Sequence, residues 1–114
     1  MLTIWHNPRC RKSRETLALI EASGQTVSVR LYLQDIPTET DIRDILRQLG
    51  FEDPRALMRR GESVYKDQNL KLETDGEILV KHMSQSPILI ERPIVTNGFK
   101  AILGRPPEAV NALL

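Results

Sequence analysis

The chain has 114 residues, 40% of them hydrophobic and 27% charged, the make-up of one ordinary globular domain rather than of a disordered or fibrous protein. Sixteen Lys and Arg against fifteen Asp and Glu leave a net charge of +1, too small for nucleic-acid binding driven by bulk charge, and no apolar run reaches the roughly 18 residues of a membrane span. Cys10 is the one cysteine, which excludes a disulfide framework or a tetracysteine metal site and fits a reducing cytoplasm.

Leu2-Thr3-Ile4-Trp5 alternates, is rich in β-formers and predicts a first strand. It lacks the basic segment, apolar stretch and cleavage site of a signal peptide, and none is expected. His6-Asn7-Pro8-Arg9 breaks the strand. A helix is predicted from Arg11 to Ser23, with Leu17, Ile20 and Ala22 inward and Gly24 as its C′ glycine. Val27 to Leu33 alternates again as a second strand, ended by Asp35-Ile36-Pro37. Thr38 and Asp41 form a capping-box pattern ahead of Ile42, Ile45, Leu46 and Leu49, with Gly50 as the stop. Asp53-Pro54 reads as an N-cap with proline at N1, opening a short helix through Ala56-Leu57-Met58-Arg59.

Thr74 and Glu77 give a second capping-box pattern, for a helix that puts Ile78, Leu79, His82 and Met83 on one face and ends over Ser84 to Pro87. Ile94-Val95-Thr96 and Phe99 to Leu103 then flank Asn97-Gly98, the strongest short hairpin signal. Gly104-Arg105-Pro106-Pro107 is a turn before a closing helix, Glu108 to Leu113. A βαβ unit makes its strands parallel and the hairpin adds an antiparallel pair. The expected class is therefore α/β with a thioredoxin-like fold. One domain over residues 1–114 holds a four-stranded mixed sheet, with a helical insertion over about 37–86 between its βαβ and ββα halves.

Cys10 is expected at the N-terminus of the first helix. A thiol with a pKa of about 8.5 is only a few per cent thiolate at pH 7, and lowering that value by about two units takes roughly 2.7 kcal/mol of preference for the anion. A helix N-terminus supplies about 0.3–1 kcal/mol when exposed and up to about 2 in a favourable site. The dipole alone falls short, but Arg9, Arg11, Lys12 and Arg14 crowd the same turn. The bland reading makes Cys10 a small buried hydrophobe beside a solvated basic face. The run from His6 to Arg14 offers it few apolar neighbours, which favours a reactive thiol.

Cys10-Arg11-Lys12-Ser13 is C-x-x-S, a redox dithiol without its second thiol. Any adduct or disulfide formed at Cys10 must therefore be resolved by an external thiol. The phosphatase loop, with cysteine and arginine separated by five residues, is absent because Thr16 stands at that position. His6 has two readings, as a cation that favours the thiolate or as a core histidine bonding the loop. His6, Cys10 and His82 have no recognised ligand spacing, and no metal is expected.

Four blocks in order now carry a resemblance: His6-Asn7-Pro8-Arg9-Cys10 with Ser13-Arg14, Arg55-Ala56-Leu57-Met58-Arg59, Glu91-Arg92-Pro93-Ile94-Val95, and Gly104-Arg105-Pro106-Pro107. From end to end the chain resembles the glutaredoxin-dependent arsenate reductases. The resemblance implies that Cys10 is the nucleophile toward arsenate, with His6 as the histidine ahead of it. It implies that Arg59, Arg92 and Arg105 hold the oxyanion and stabilise the thiolate; Arg60 adjoins Arg59, but the A-L-x-R register favours Arg59. Arginine forks suit tetrahedral oxyanions on independent chemical grounds. Asn7, Pro8, Ser13, Arg14 and Pro93 belong to the same matched blocks and complete the site loops, and the Arg92–Pro93 bond is expected to be cis.

The resemblance further implies glutathione as thiol co-substrate, glutaredoxin as partner and no tightly bound cofactor. Arg11 departs from the pattern, since the residue after the nucleophile is often small in that family. Two rival readings remain. A monothiol thiol–disulfide oxidoreductase fits the C-x-x-S but needs no three-arginine site. A redox-related regulator binding RNA polymerase fits the wider superfamily, although Ser13 removes the second cysteine of a disulfide switch. A cytoplasmic monomer without nucleic-acid or membrane partners is expected.

Overall fold

The computed structural model describes all 114 residues. They form two compact units, Met1–Asp35 with Arg92–Leu114, and Ile36–Glu91. The first contains β1 (Leu2–Trp5), α1 (Arg11–Ala22), β2 (Val27–Arg30), β3 (Ile94–Thr96), β4 (Ala101–Leu103) and a 3₁₀ segment, Pro107–Leu113. Its four-stranded sheet has the order β2-β1-β3-β4. β1 runs parallel to β2 with Leu2 opposite Val27, and antiparallel to β3 with Trp5 opposite Ile94. β3 and β4 pair antiparallel, Ile94 opposite Leu103. This is the mixed, thioredoxin-like sheet expected from the element order.

The core beneath it joins Leu2, Ile4, Ile20, Val95 and Val110, with Leu17, Leu19, Val27, Ile102 and Leu113 packed against them. Each fully buried aliphatic side chain contributes about 1.5–3 kcal/mol relative to its exposed state. The inward stripe of α1 differs from expectation. Ser13, Thr16 and Ile20 are buried whereas Ala22 is exposed, because Ser13 faces inward to bond the loop before the helix and Thr16 to meet the backbone at Gly104. Gly24 closes α1 at φ +80°, as expected of a C′ glycine.

β2 is shorter than its alternation suggested. The chain turns at Leu31, whose carbonyl accepts the N–H groups of Gln34 (2.9 Å) and Asp35 (2.8 Å). The turn buries Tyr32 to 1% exposure and leaves Leu33 40% exposed. At the hairpin Asn97 Oδ1 accepts the N–H groups of Phe99 and Lys100, so β4 begins only at Ala101 and Phe99 stands 91% exposed. The closing segment is 3₁₀ rather than α and begins at Pro107.

In the second unit, α2 (Glu39–Leu49) starts from the expected capping box. Thr38 Oγ1 accepts from Asp41 N–H and Asp41 accepts from Thr38 N–H, both at 3.0 Å. Gly50 ends α2 at φ +75°. The Asp53–Pro54 start gives one 3₁₀ turn, Pro54–Leu57, which stops two residues early because Met58 turns extended and bridges Ile90. α3 (Ser63–Asp67) and a 3₁₀ turn, Leu70–Leu72, were not foreseen. α4 (Gly76–Gln85) is capped by Asp75, whose Oδ1 accepts Glu77 N–H at 3.0 Å, not by Thr74. Glu73 instead accepts the N–H groups of Thr74 and Asp75. The buried face of α4 is Leu79, Val80 and Met83, with Val80 inside at 1% exposure and Ile78 turned out at 38%. α4 packs on α2, and Arg43 reaches across to Glu77 at 2.9 Å.

Candidate active site around Cys10

Cys10 is the N-cap of α1, 8% exposed, with its N–H donating to Asn7 O and its carbonyl accepting from Arg14 N–H, each at 3.0 Å. Burial pushes its thiol pKa up. The N–H of Ser13, the Arg92 guanidinium, the N–H of Lys12 and the Arg105 guanidinium oppose this and together hold the thiol below its ordinary range. The side chain makes no capping hydrogen bond within the helix; the amides act on the thiolate as oriented dipoles at a helix N-terminus. The basic crowd of the local sequence is therefore not what lowers the pKa. Arg11 is 84% exposed and paired with Glu15 at 2.7 Å, and Arg14 donates to the Pro8 carbonyl at 2.9 Å, pinning the loop.

The two readings of His6 separate here. His6 is 7% exposed and its Nδ1 lies 2.6 Å from Ser13 Oγ. Burial, and then the charge of Arg14, lower its pKa, with Glu21 opposing. A lowered pKa favours the neutral ring, and the contact with Ser13 ties that ring to the loop. Ser13, fully buried, accepts from Asn7 N–H at 3.1 Å through the hydroxyl that bonds His6, while its own N–H faces the thiolate. Asn7 Oδ1 in turn accepts Arg9 N–H at 3.0 Å.

Because folding lowers the His6 pKa below its ordinary 6.5, the stability carried by the neutral ring is present above that value and is lost as pH falls toward the folded-state value. Urea unfolding across pH 7.5 to 5.0 should show a decline in stability that is shallower in His6→Gln. Equal slopes in the two proteins would remove His6 from the loop's proton balance.

Arg92 and Arg105 approach Cys10 from the other end of the chain. Arg105 Nη1 donates to Arg92 O at 3.2 Å, and Gly104 N–H donates to Pro93 O at 2.9 Å. The Arg92–Pro93 bond is cis as the resemblance implied, and Arg105–Pro106 is cis as well. Gly104 passes so close to Thr16 Oγ1 and Pro93 Cγ that a Cβ there has no room. Thr16 itself is held in α1 by donating to Lys12 O at 2.7 Å. Glycine at 104 thus lets the arginine-bearing turn lie against the helix that carries Cys10. In the sequence Gly104 reads as a turn residue inside the last matched block, and no local signal singles out the packing role of Thr16.

Arg59 lies in the other unit, where its Nη2 pairs with Glu62 at 3.1 Å and its N–H donates to Leu89 O at 2.8 Å. Arg60 is exposed. Arg55, also in that block, is a clamp that sequence reading missed. Its Nη1 donates to Tyr65 Oη (2.6 Å) and Leu70 O (2.8 Å), and its Nη2 to Glu73 O.

With this geometry established, known proteins supply a comparison. The model of the ArsC family matches residues 5–113. An arsenate reductase of Haemophilus influenzae is 46% identical over 112 residues, 97% of each chain. The uncharacterized protein YfgD of Escherichia coli is also 46% identical, over 94% of this chain and 91% of its own. A solved arsenate reductase from Vibrio cholerae superposes with a TM-score of 0.94 at 44% identity, covering 99% of this chain and 97% of the other.

Proposed function

Because the chain belongs to the ArsC family, we propose that it is an arsenate reductase in which Cys10 is the nucleophile and small thiols supply the electrons. The observation that carries this reading is the buried Cys10 thiol at a helix N-terminus, with its thiolate favoured by two backbone N–H groups and by Arg92 and Arg105. A thiolate beside arginine forks both attracts a tetrahedral oxyanion and attacks its central atom.

In the first step Cys10 Sγ forms a bond to arsenic and hydroxide leaves, taking up a proton as water. A glutathione thiolate then attacks Sγ. The new S–S bond replaces the S–As bond, whose electron pair departs with arsenic, so As(V) becomes arsenite and Cys10 is left as a mixed disulfide with glutathione. The chain has no second thiol, so glutaredoxin removes the glutathione and restores Cys10. Arg92 and Arg105 hold the oxyanion, and His6 and Ser13 hold the loop; Asn7, Pro8, Arg14 and Pro93 shape it. The enzyme works as a monomer in the reducing cytoplasm, with neither nucleic acid nor membrane as partner. No helix is long and apolar enough to cross a bilayer.

The test is NADPH oxidation in a mixture of the protein, arsenate, glutathione, glutaredoxin and glutathione reductase. Oxidation that depends on both arsenate and the protein is expected. Turnover of a glutathionylated substrate, with no response to arsenate, would instead make the chain a monothiol oxidoreductase.

A further inference from the structure

Over residues 36–91 the chain carries eight Lys and Arg against eleven Asp and Glu, so acids are plentiful around every cation. Arg43 pairs with Glu39 and Glu77, Arg47 with Asp44, and Arg59 with Glu62. Arg55, Arg60, Lys66, Lys71 and Lys81 form no ion pair. Four of these five line one cavity of about 680 Å³, together with Tyr65, Asn69 and Leu72, and no acid lines it. In an acidic unit, this is where the unpaired positive charge collects.

The cavity is built on fixed elements. Arg55 is half-buried and held by three neutral oxygens, those of Tyr65, Leu70 and Glu73, so its orientation is set while its charge stays uncompensated. Asn69, at φ +52°, turns the chain from α3 into the wall that carries Lys71 and Leu72. Leu72 is 78% exposed, and with the alkyl stems of the lysines it gives the wall apolar surface. An adjoining cavity of about 500 Å³ shares Arg55 and Lys71 but carries Glu52, Asp53 and Glu73. The excess positive charge therefore lies on the Arg60–Lys66 side.

Like charges around one concavity repel, and an anion relieves that repulsion. The volume falls within the roughly 300–1,000 Å³ of small-molecule sites, too roomy for a lone tetrahedral oxyanion and suited to an organic body. We infer that this cavity is a binding site for a small organic polyanion bearing two or more carboxylate or phosphate groups, separate in its residues from Cys10, Arg92 and Arg105. The inference stands on its own, whatever chemistry Cys10 performs.

The full chain, labelled with ¹⁵N, is titrated with citrate and with glycerate 2,3-bisphosphate, and inorganic phosphate serves as the small-anion comparison. Saturable amide shifts at Arg60, Lys66, Asn69 and Lys71 are expected with at least one of the two polyanions, and which of them binds identifies the anionic group preferred. Lys66→Gln with Lys71→Gln should weaken that binding about tenfold or more. Both lysines are exposed and their side chains hold no other residue in place, so their replacement is expected to leave the fold intact. Lys81→Gln, which removes an unpaired cation outside the cavity, should leave it unchanged. Absence of these shifts with both polyanions overturns the proposal, as does an equal loss in Lys81→Gln. Equal affinity for inorganic phosphate, or binding of a polyglutamate peptide but of neither small polyanion, also overturns it.

Discussion

Cys10→Ser removes arsenate-dependent NADPH oxidation and leaves the protein as stable as before or slightly more so. Loss of a nucleophile that forms a covalent intermediate costs on the order of 10³-fold or more in turnover. A serine hydroxyl stays protonated under conditions where the lowered pKa of Cys10 yields thiolate. The stability half of the prediction comes from position. Cys10 is an N-cap with extended dihedrals, φ −92° and ψ 120°, and no side-chain cap bond. Serine is a preferred N-cap residue, and cap bonds of this kind are worth about 0.5–2 kcal/mol. Thermal unfolding and the coupled assay on the same samples separate the outcomes. Retained turnover would remove Cys10 as nucleophile, and a collapsed melting temperature would make it a packing residue.

What the sequence made legible divides along physical lines. Elements specified by neighbours a few residues apart were readable. β1 rests on alternation, α2 on the Thr38–Asp41 box and Gly50, and the hairpin on Asn97-Gly98. The misses come from competition between nearby signals or from contacts made across the chain. Thr74 and Asp75 are both acceptable caps, and the Glu73 carboxylate, by taking the N–H groups of Thr74 and Asp75, sets the start one residue later. The alternation through Leu33 has the right period for a strand, but the turn at Leu31 overrides it and buries Tyr32. Short 3₁₀ turns contain too few residues for periodicity to register.

At the site, residue types were legible and partners were not. C-x-x-S disclosed a lone thiol, yet the reason Ser13 stands there appears only once its hydroxyl is seen between His6 and Asn7. Thr16 and Gly104 read separately as a helix residue and a turn residue, and their close approach is a long-range contact that no local pattern encodes. Arg11 shows the converse. Its adjacency to Cys10 suggested influence on the thiol, whereas its i,i+4 pairing with Glu15 turns its charge elsewhere.

Arg92→Ala and Arg105→Ala each raise the Cys10 pKa and weaken oxyanion binding, and Arg92→Ala has the larger effect. Burial opposes ionisation at Cys10, so the thiolate depends on the groups that counter it; Arg92 is the stronger of the two cations, Arg105 the weaker. Exposure explains the order. Arg92 is half-buried and Arg105 exposed, and water screens an exposed charge toward a small net worth. Removing a charge-assisted hydrogen bond to an ionised ligand costs about 1.5–3 kcal/mol, which predicts a loss on the order of 10- to 100-fold in kcat/KM for arsenate in Arg92→Ala and a smaller one in Arg105→Ala. The sign of the pH effect follows from the lowered pKa. In the parent protein iodoacetamide alkylation of Cys10 reaches half its limiting rate below the ordinary thiol range, and in each variant that midpoint moves to higher pH. The Ser13 and Lys12 amides persist in both variants and keep part of the shift, so neither midpoint rises to that of a thiol facing burial alone. Unmoved midpoints in both variants would remove Arg92 and Arg105 from the thiolate's stabilisation, and a larger change in Arg105→Ala would reverse the assigned order.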